Sequence, residues 1–292
     1  MSKVILGINT QFLYPESIVD PVAHTESLKK LSQATNVDAL DCWMWRGERA
    51  KEERDILLAS GKVINYNIGD RFGEEIAQPS SKSQADRDRA YDLMMREIEH
   101  GLSVNTKKII FGSGPDHPED HQGAIERFEE LIMKVSTQLP SDVQLALEPT
   151  DWDIDKFFLF GRMEETVDFI HRLQKNGVNI GMLLDMCHVP IMHETLESAL
   201  EKAQDTLIHI HLGNAVIKNP ANPFYGDKHI PWDYADSEYT CADGVRFINM
   251  LKDKGYFDHD NATVTFEMRP FEGTTPEESL QKFVDVYNSA WK

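Results

Sequence analysis

Eight short segments of strand composition recur along the chain, and a stretch of helical periodicity follows each of them. The strand candidates are Val4–Thr10, Ala39–Trp45, Val63–Gly69, Lys107–Gly114, Val143–Pro149, Ile180–Met186, Thr206–Gly213 and Ala262–Met268. Most are near-continuous apolar runs, the pattern of strands covered on both faces. The intervening stretches carry helix signals. RMEETVDFIHRLQKNG places Val167, Ile170 and Leu173 on one face and stops at Gly177, while Thr275, Pro276 and Glu278 form a capping-box arrangement ahead of the last helix. Regular β-α alternation means parallel strands with right-handed crossovers, closed into a barrel or left open as a doubly wound sheet. The open form predicts a glycine-rich phosphate loop after the first strand. The chain reads GINTQFLYPES there and contains neither GxGxxG nor GxxxxGK. The expectation is an α/β protein, a (β/α)₈ TIM barrel forming a single domain over residues 1–292, with no organic cofactor.

Composition narrows the function classes. Hydrophobic residues make up 41% of the chain, enough for a large core, yet no apolar run reaches the ~18–20 residues of a membrane span. MSKVILGINTQFL enters a strand pattern without a charged lead or cleavage site, so an unexported protein is expected. Cys42, Cys187 and Cys241 are widely separated and form no CxxC pair, which fits a reducing cytoplasm and neither a zinc knuckle nor a disulfide framework. A formal charge of −19 argues against nucleic acid, whose binding depends on Lys and Arg neutralising phosphates.

In such a barrel the site lies at the C-terminal ends of the strands. Strand five ends in ALEP with Glu148, and strand six in LLDMCH with Asp185 and His188. Strand seven ends in HIHLG with His209 and His211, and strand eight in TFEMRP with Glu267. Strand alternation puts both histidines on one face, and His211, nearer the end, is the better ligand candidate. Taken singly, each acid could be a strand-end residue paired with Lys or Arg, and a lone histidine in an apolar strand is more often core than ligand. Four such residues at equivalent depth on consecutive strands are different. Three buried carboxylates repel one another, and a divalent cation makes the arrangement tolerable. The oxygen-rich set favours one ion, Mn²⁺ foremost, with Mg²⁺, Co²⁺ or Zn²⁺ as alternatives, over a closed zinc site.

The same segments resemble the xylose isomerase-like barrels, particularly ketose 3-epimerases of the tagatose and psicose type and related sugar isomerases. The resemblance is carried by LEPT (Glu148), LLDMCH (Asp185, His188), HIHLGN (His211), GDKHIPW (Asp227–Trp232) and FEMRPF (Glu267), all in the C-terminal half. It implies that Glu148, Asp185, His211 and Glu267 hold the metal, that Glu148 and Glu267 are the catalytic acid/base pair, and that His188 contacts substrate. The implied reaction is isomerisation or epimerisation of a carbohydrate by proton abstraction beside a metal-bound carbonyl through an enediolate. The epimerases usually carry a glutamate and an arginine shortly after the strand-seven histidine, where this chain has Asn214 and Ile217. Lys228, Trp232, Arg269 and Trp45 are the candidates to replace those sugar contacts. The irregular segment Asn214–Tyr234 should cover the site, with His229 and Lys228 facing the ligand.

Other readings share these residues. A metal-dependent lyase or dehydratase acting on an oxidised sugar or cyclitol uses the same proton abstraction. Endonuclease IV shares the four ligands, and His188, Asp227 and His229 also match its ligands for a further zinc. Its remaining zinc needs histidines at the ends of strands three and four, which this chain lacks, so a complete three-zinc site is not expected; Asp227 and His229 are read with His188 as substrate and loop contacts, with a second metal ion at these three residues as the alternative. A barrel retained as a sugar-binding module, and assembly as a homo-oligomer, stay open.

Overall fold

Eight parallel strands pair in sequence order and the eighth returns to the first, so the sheet closes on itself. The computed structural model describes residues 4–69, 71–74, 77–259 and 261–292. The strands are β1 (Ile5–Asn9), β2 (Ala39–Cys42), β3 (Val63–Asn67), β4 (Lys108–Phe111), β5 (Gln144–Leu147), β6 (Ile180–Asp185), β7 (Leu207–Leu212) and β8 (Thr263–Phe266). The outer helices are α1 (Pro21–Ser32), α2 (Glu48–Ser60), α3 (Gln84–Ser103), α4 (His121–Ser136), α5 (Met163–Lys175), α6 (Leu196–Ala203), α7 (Cys241–Asp253) and α8 (Pro276–Ser289). This is the expected (β/α)₈ barrel. No helix among the described residues is long and apolar enough to cross a membrane.

The helix signals act where the sequence places them. In α5, Ile170 and Leu173 are buried, and the chain leaves the helix through Gly177 at φ +84°, a left-handed turn that glycine adopts without strain. Before α8 the Thr275 hydroxyl accepts from the Glu278 amide while the Glu278 carboxylate accepts from the Thr275 amide.

Two apolar compartments follow from the alternation of strand side chains. The larger lies between strands and helices and joins Leu145, Leu184, Ile210 and Phe266 to Phe128, Phe169, Phe247 and Phe283. A small one, Ile110, Ala146 and Leu183, lies apart from it. Polar groups also meet inside the ring: Asp41 of β2, Asn65 of β3, Lys108 of β4 and His209 of β7 are buried and joined by hydrogen bonds. β7 carries a bulge, because Met182 pairs with Leu207 but Leu183 pairs with His209, leaving Ile208 without a partner on β6.

The strands are shorter than the apolar runs. Glu148 and Glu267 each lie one residue past their ladders, held by one last backbone bond: Glu148 N–H to Phe111 O at 3.0 Å and Glu267 N–H to Leu212 O at 2.9 Å. The chain therefore turns away where these side chains enter the barrel mouth.

Candidate metal centre and substrate cavity

Glu148, Asp185, His211 and Glu267 converge at the C-terminal mouth, each offering an atom within 4.8 Å of the others. His211 Nδ1 lies 2.5 Å from Glu267 Oε2, 3.4 Å from Glu148 Oε1 and 3.7 Å from Asp185 Oδ2. Their other atoms are anchored. Asp185 Oδ1 accepts from the Cys187 amide at 2.6 Å, Glu267 Oε1 from Asn9 Nδ2 at 2.6 Å, and His211 Nε2 faces Asp41 Oδ2 at 2.9 Å. Gly213 makes room: a Cβ there would stand 2.6 Å from Cys187 Cβ and 2.7 Å from Asp185 Oδ1.

The converging atoms are the ones left without partners. Glu148 Oε1, Asp185 Oδ2, His211 Nδ1 and Glu267 Oε2 are all buried and accept or donate no hydrogen bond. An unmade bond at a buried polar atom costs about 1–3 kcal/mol, so four at one point are costly unless shared by a further group, and they form a set that could hold a cation. The ionisation tendencies agree. Burial opposes an imidazolium at His211, yet the Glu267 carboxylate, and beside it those of Asp185 and Asp41, push it well above the ordinary histidine value. Burial drives Glu267 up to about 7 against the attraction of His211 and His229. Both shifts express a shortage of positive charge. Three carboxylates and one imidazole fit a hard divalent ion.

A second buried group, Cys187, His188, Asp227 and His229, adjoins the first. It is satisfied internally. His188 Nδ1 donates to Pro149 O at 3.0 Å and Nε2 to Asp227 Oδ1 at 3.2 Å, while His229 Nδ1 donates to Glu267 O at 3.0 Å and Nε2 to Asp227 Oδ1 at 2.8 Å. Both rings thus face acceptors with both nitrogens, and this group, unlike the first, has no buried nitrogen or oxygen among the atoms left without a partner. Burial opposes their charge, but Asp227 outweighs it, taking His188 well above its ordinary value and His229 to about 9. Burial raises the Cys187 thiol, and Asp227 and Asp185 raise it further, so it stays protonated and donates to Asn214 O at 3.2 Å.

One cavity runs over this mouth and is lined by Glu148, Glu267, His188, Asp227 and His229. The segment 214–234 supplies the last two, so it reaches the site and His229 faces the cavity as expected. Lys228 does not line the cavity; its ammonium pairs with Asp155 Oδ2 at 2.7 Å. Arg269 is likewise a brace, giving Nε–H to Lys228 O at 3.0 Å and its backbone N–H to His229 O at 2.7 Å. Trp232, expected as a substrate contact, is fully buried in the helix-facing core, edge-on to Phe266 and Phe283 with Gly244 beneath its ring. This corrects that expectation: Trp232 follows the loop's last turn into the core and reaches no cavity wall. Asn214 is also structural, since its amide donates to Pro231 O and Tyr239 O and its carbonyl accepts from Tyr239 N–H, pinning both ends of the loop.

Several lining residues escaped the sequence reading. Trp43 rather than Trp45 faces the cavity, with the Arg71 guanidinium stacked 3.6 Å from its ring centroid. Lys156 lines the wall on a loop whose amides at 154, 155 and 156 are gathered by the buried Asp151 carboxylate. Asn9 at the end of β1 and, behind the cavity, Asp41 within β2 carried the one usable signal, polar residues in apolar strands.

Comparison with known proteins places this geometry. No curated protein sequence matches the chain. Solved structures match throughout. A D-psicose 3-epimerase with D-tagatose from Clostridium cellulolyticum H10 is 18% identical at TM-score 0.64, over 98% of this chain and 92% of that one. A family 2 AP endonuclease from Brucella melitensis is 17% identical at TM-score 0.69, over 98% and 99%. A 3-keto-D-glucoside 4-epimerase from E. coli is 14% identical at TM-score 0.63, over 99% of each chain. The family model described as xylose isomerase-like TIM barrel matches residues 43–287, and the chain belongs to that family.

Proposed function

We propose that the protein is a divalent-metal-dependent isomerase or epimerase of a sugar or sugar derivative, binding one ion through Glu148, Asp185, His211 and Glu267. The observation that carries the reading is the convergence of four buried, unpartnered ligand atoms beneath a cavity that two of the same carboxylates line. Mn²⁺ suits the donor set best, with Mg²⁺, Co²⁺ or Zn²⁺ as alternatives. A cation held there supplies positive charge that polarises a substrate carbonyl and acidifies the adjacent C–H.

The chain's own residues do the rest. Glu148 keeps a second oxygen with which to take a proton from the carbon beside the carbonyl. Glu267, oriented by Asn9, is the partner carboxylate in the same cavity. Removal by one and return by the other, through an enediolate, inverts the carbon; return to the neighbouring carbon interconverts aldose and ketose. His188, Asp227 and His229 form the polar wall against which substrate hydroxyls lie. The endonuclease-like alternative is not favoured, because β3 ends in Asn67 and β4 in Phe111, with no imidazole at either strand end.

A sugar panel with Mn²⁺, read for products, tests this. Glu148→Gln and Glu267→Gln keep size and one oxygen but cannot take a proton. Turnover should fall by about 10²–10⁴-fold while metal is retained. Wild-type enzyme in D₂O should place deuterium beside the carbonyl. Release of water or an aglycone would move the protein to the lyases, and binding without turnover to the sugar-binding modules. Wild-type rates in both glutamine variants would remove the two carboxylates from catalysis.

A further inference from the structure

We infer that Asp41 is a positioning residue for the metal centre, and that Lys108 and His209 hold it in that role through a hydrogen-bonded chain across the barrel interior. The inference rests on the metal reading above and adds to it the groups that decide which nitrogen of His211 the ion meets.

The chain can be followed from its cationic end. Lys108 Nζ is buried and has three hydrogens to give. It faces Ile208 O at 2.9 Å, His209 Nδ1 at 3.1 Å and Thr263 Oγ1 at 3.4 Å. The Ile208 carbonyl belongs to the bulged residue of β7, the one without a partner on β6. An ammonium has no lone pair, so His209 Nδ1 must accept and the ring hydrogen sits on Nε2. That hydrogen points at Asp41 Oδ2, 2.8 Å away. The other Asp41 oxygen accepts from Asn65 Nδ2 at 2.6 Å. An anionic carboxylate can only accept, so His211 Nε2, 2.9 Å from the same Oδ2, must carry a hydrogen. The lone pair of neutral His211 is thereby left on Nδ1, the atom facing Glu148, Asp185 and Glu267.

The opposite tautomer would set a lone pair against the Asp41 carboxylate and aim a hydrogen at the place of the ion. The chain is also balanced in charge. One ammonium and one carboxylate, joined by a neutral imidazole, add no net charge beneath a centre that already holds three carboxylates. Burial takes Lys108 down to about 8, which still leaves its amine charged near pH 7. A cluster serving only as filler has no need of an ion pair, and well-packed apolar residues commonly do as well or better in a core.

Calorimetric titration of chelator-treated protein with Mn²⁺ tests the inference. Asp41→Asn keeps the shape but removes the anion, and should weaken Mn²⁺ binding by about 10–100-fold, the usual effect of losing a partner behind a metal-bound histidine. Lys108→Met should shift affinity the same way by less. Nitrogen-detected NMR of the Zn²⁺-loaded wild type, labelled at histidine, should show His211 with hydrogen on Nε2 and metal on Nδ1, a readout that a packing role would not move. Metal on Nε2, or wild-type Mn²⁺ affinity in Asp41→Asn, would overturn the role of Asp41 while leaving the metal centre in place. If the wild type binds neither ion, the metal reading fails and takes this inference with it. Should Asp41→Asn not fold, the wild-type tautomer decides alone.

Discussion

Asp185→Asn separates the metal centre from the fold. Asp185 is completely buried, with Oδ1 bonded to the Cys187 amide and Oδ2 unpartnered toward His211. Asparagine keeps the first oxygen and turns the second into an amide that cannot ligate, so the strand end stays anchored while the ion loses a ligand. A metal present at 100 times its Kd stabilises the native state by about 2.7 kcal/mol. For 292 residues an unfolding entropy of about 2.1 cal/mol/K each gives about 0.6 kcal/mol/K, so the wild type should melt about 4 °C higher in Mn²⁺ than after chelation. The variant should show little of that rise. The sign of the pH dependence follows from His211. Its raised value means that the metal-free ring binds a proton near neutrality, which the metal must displace, so metal-linked stability grows with pH until that raised value is passed. The growth is about 1.4 kcal/mol per pH unit, or about 2 °C in melting temperature. Thermal melts with and without chelator, repeated at several pH values, measure both effects. Melting that ignores Mn²⁺, Mg²⁺ and Co²⁺ alike, an undiminished rise in Asp185→Asn, or a rise that shrinks as pH increases would refute the reasoning.

Two further outcomes follow from the packing. Trp232→Ala should destabilise by about 3–5 kcal/mol, lowering the melting temperature by about 5–8 °C, and leave ligand affinity in the folded protein near wild type; lost affinity without lost stability would return Trp232 to the cavity wall. His121 bridges Asp116 and Glu165, and although burial opposes its charge, those carboxylates raise its value. Its contribution is complete below the unfolded histidine value of 6.5 and is lost as pH rises through the raised folded value, so denaturant melts of His121→Asn should fall off less steeply above pH 6.5 than those of the wild type.

The barrel and the four converging side chains were legible because both depend on local repeats. Alternation of period two places Glu148, Asp185, His211 and Glu267 at strand ends, and the β-α rhythm brings those ends to one rim. The residues that complete the centre were not legible in the same way. Asp41 meets His209 and His211 across 168 and 170 positions of sequence, a contact created by closure of the sheet and by a one-residue bulge in β7. Trp232 shows the converse. It shares a seven-residue motif with Asp227 and His229, yet after His229, at φ +51°, the chain carries Trp232 under α7 instead of into the cavity. Sequence alone determined which groups arrive at the mouth, since strand periodicity is a property of neighbours along the chain. Tertiary structure decided which groups stand behind them and which turn away, because register, bulge and loop path are set by packing between segments far apart in sequence.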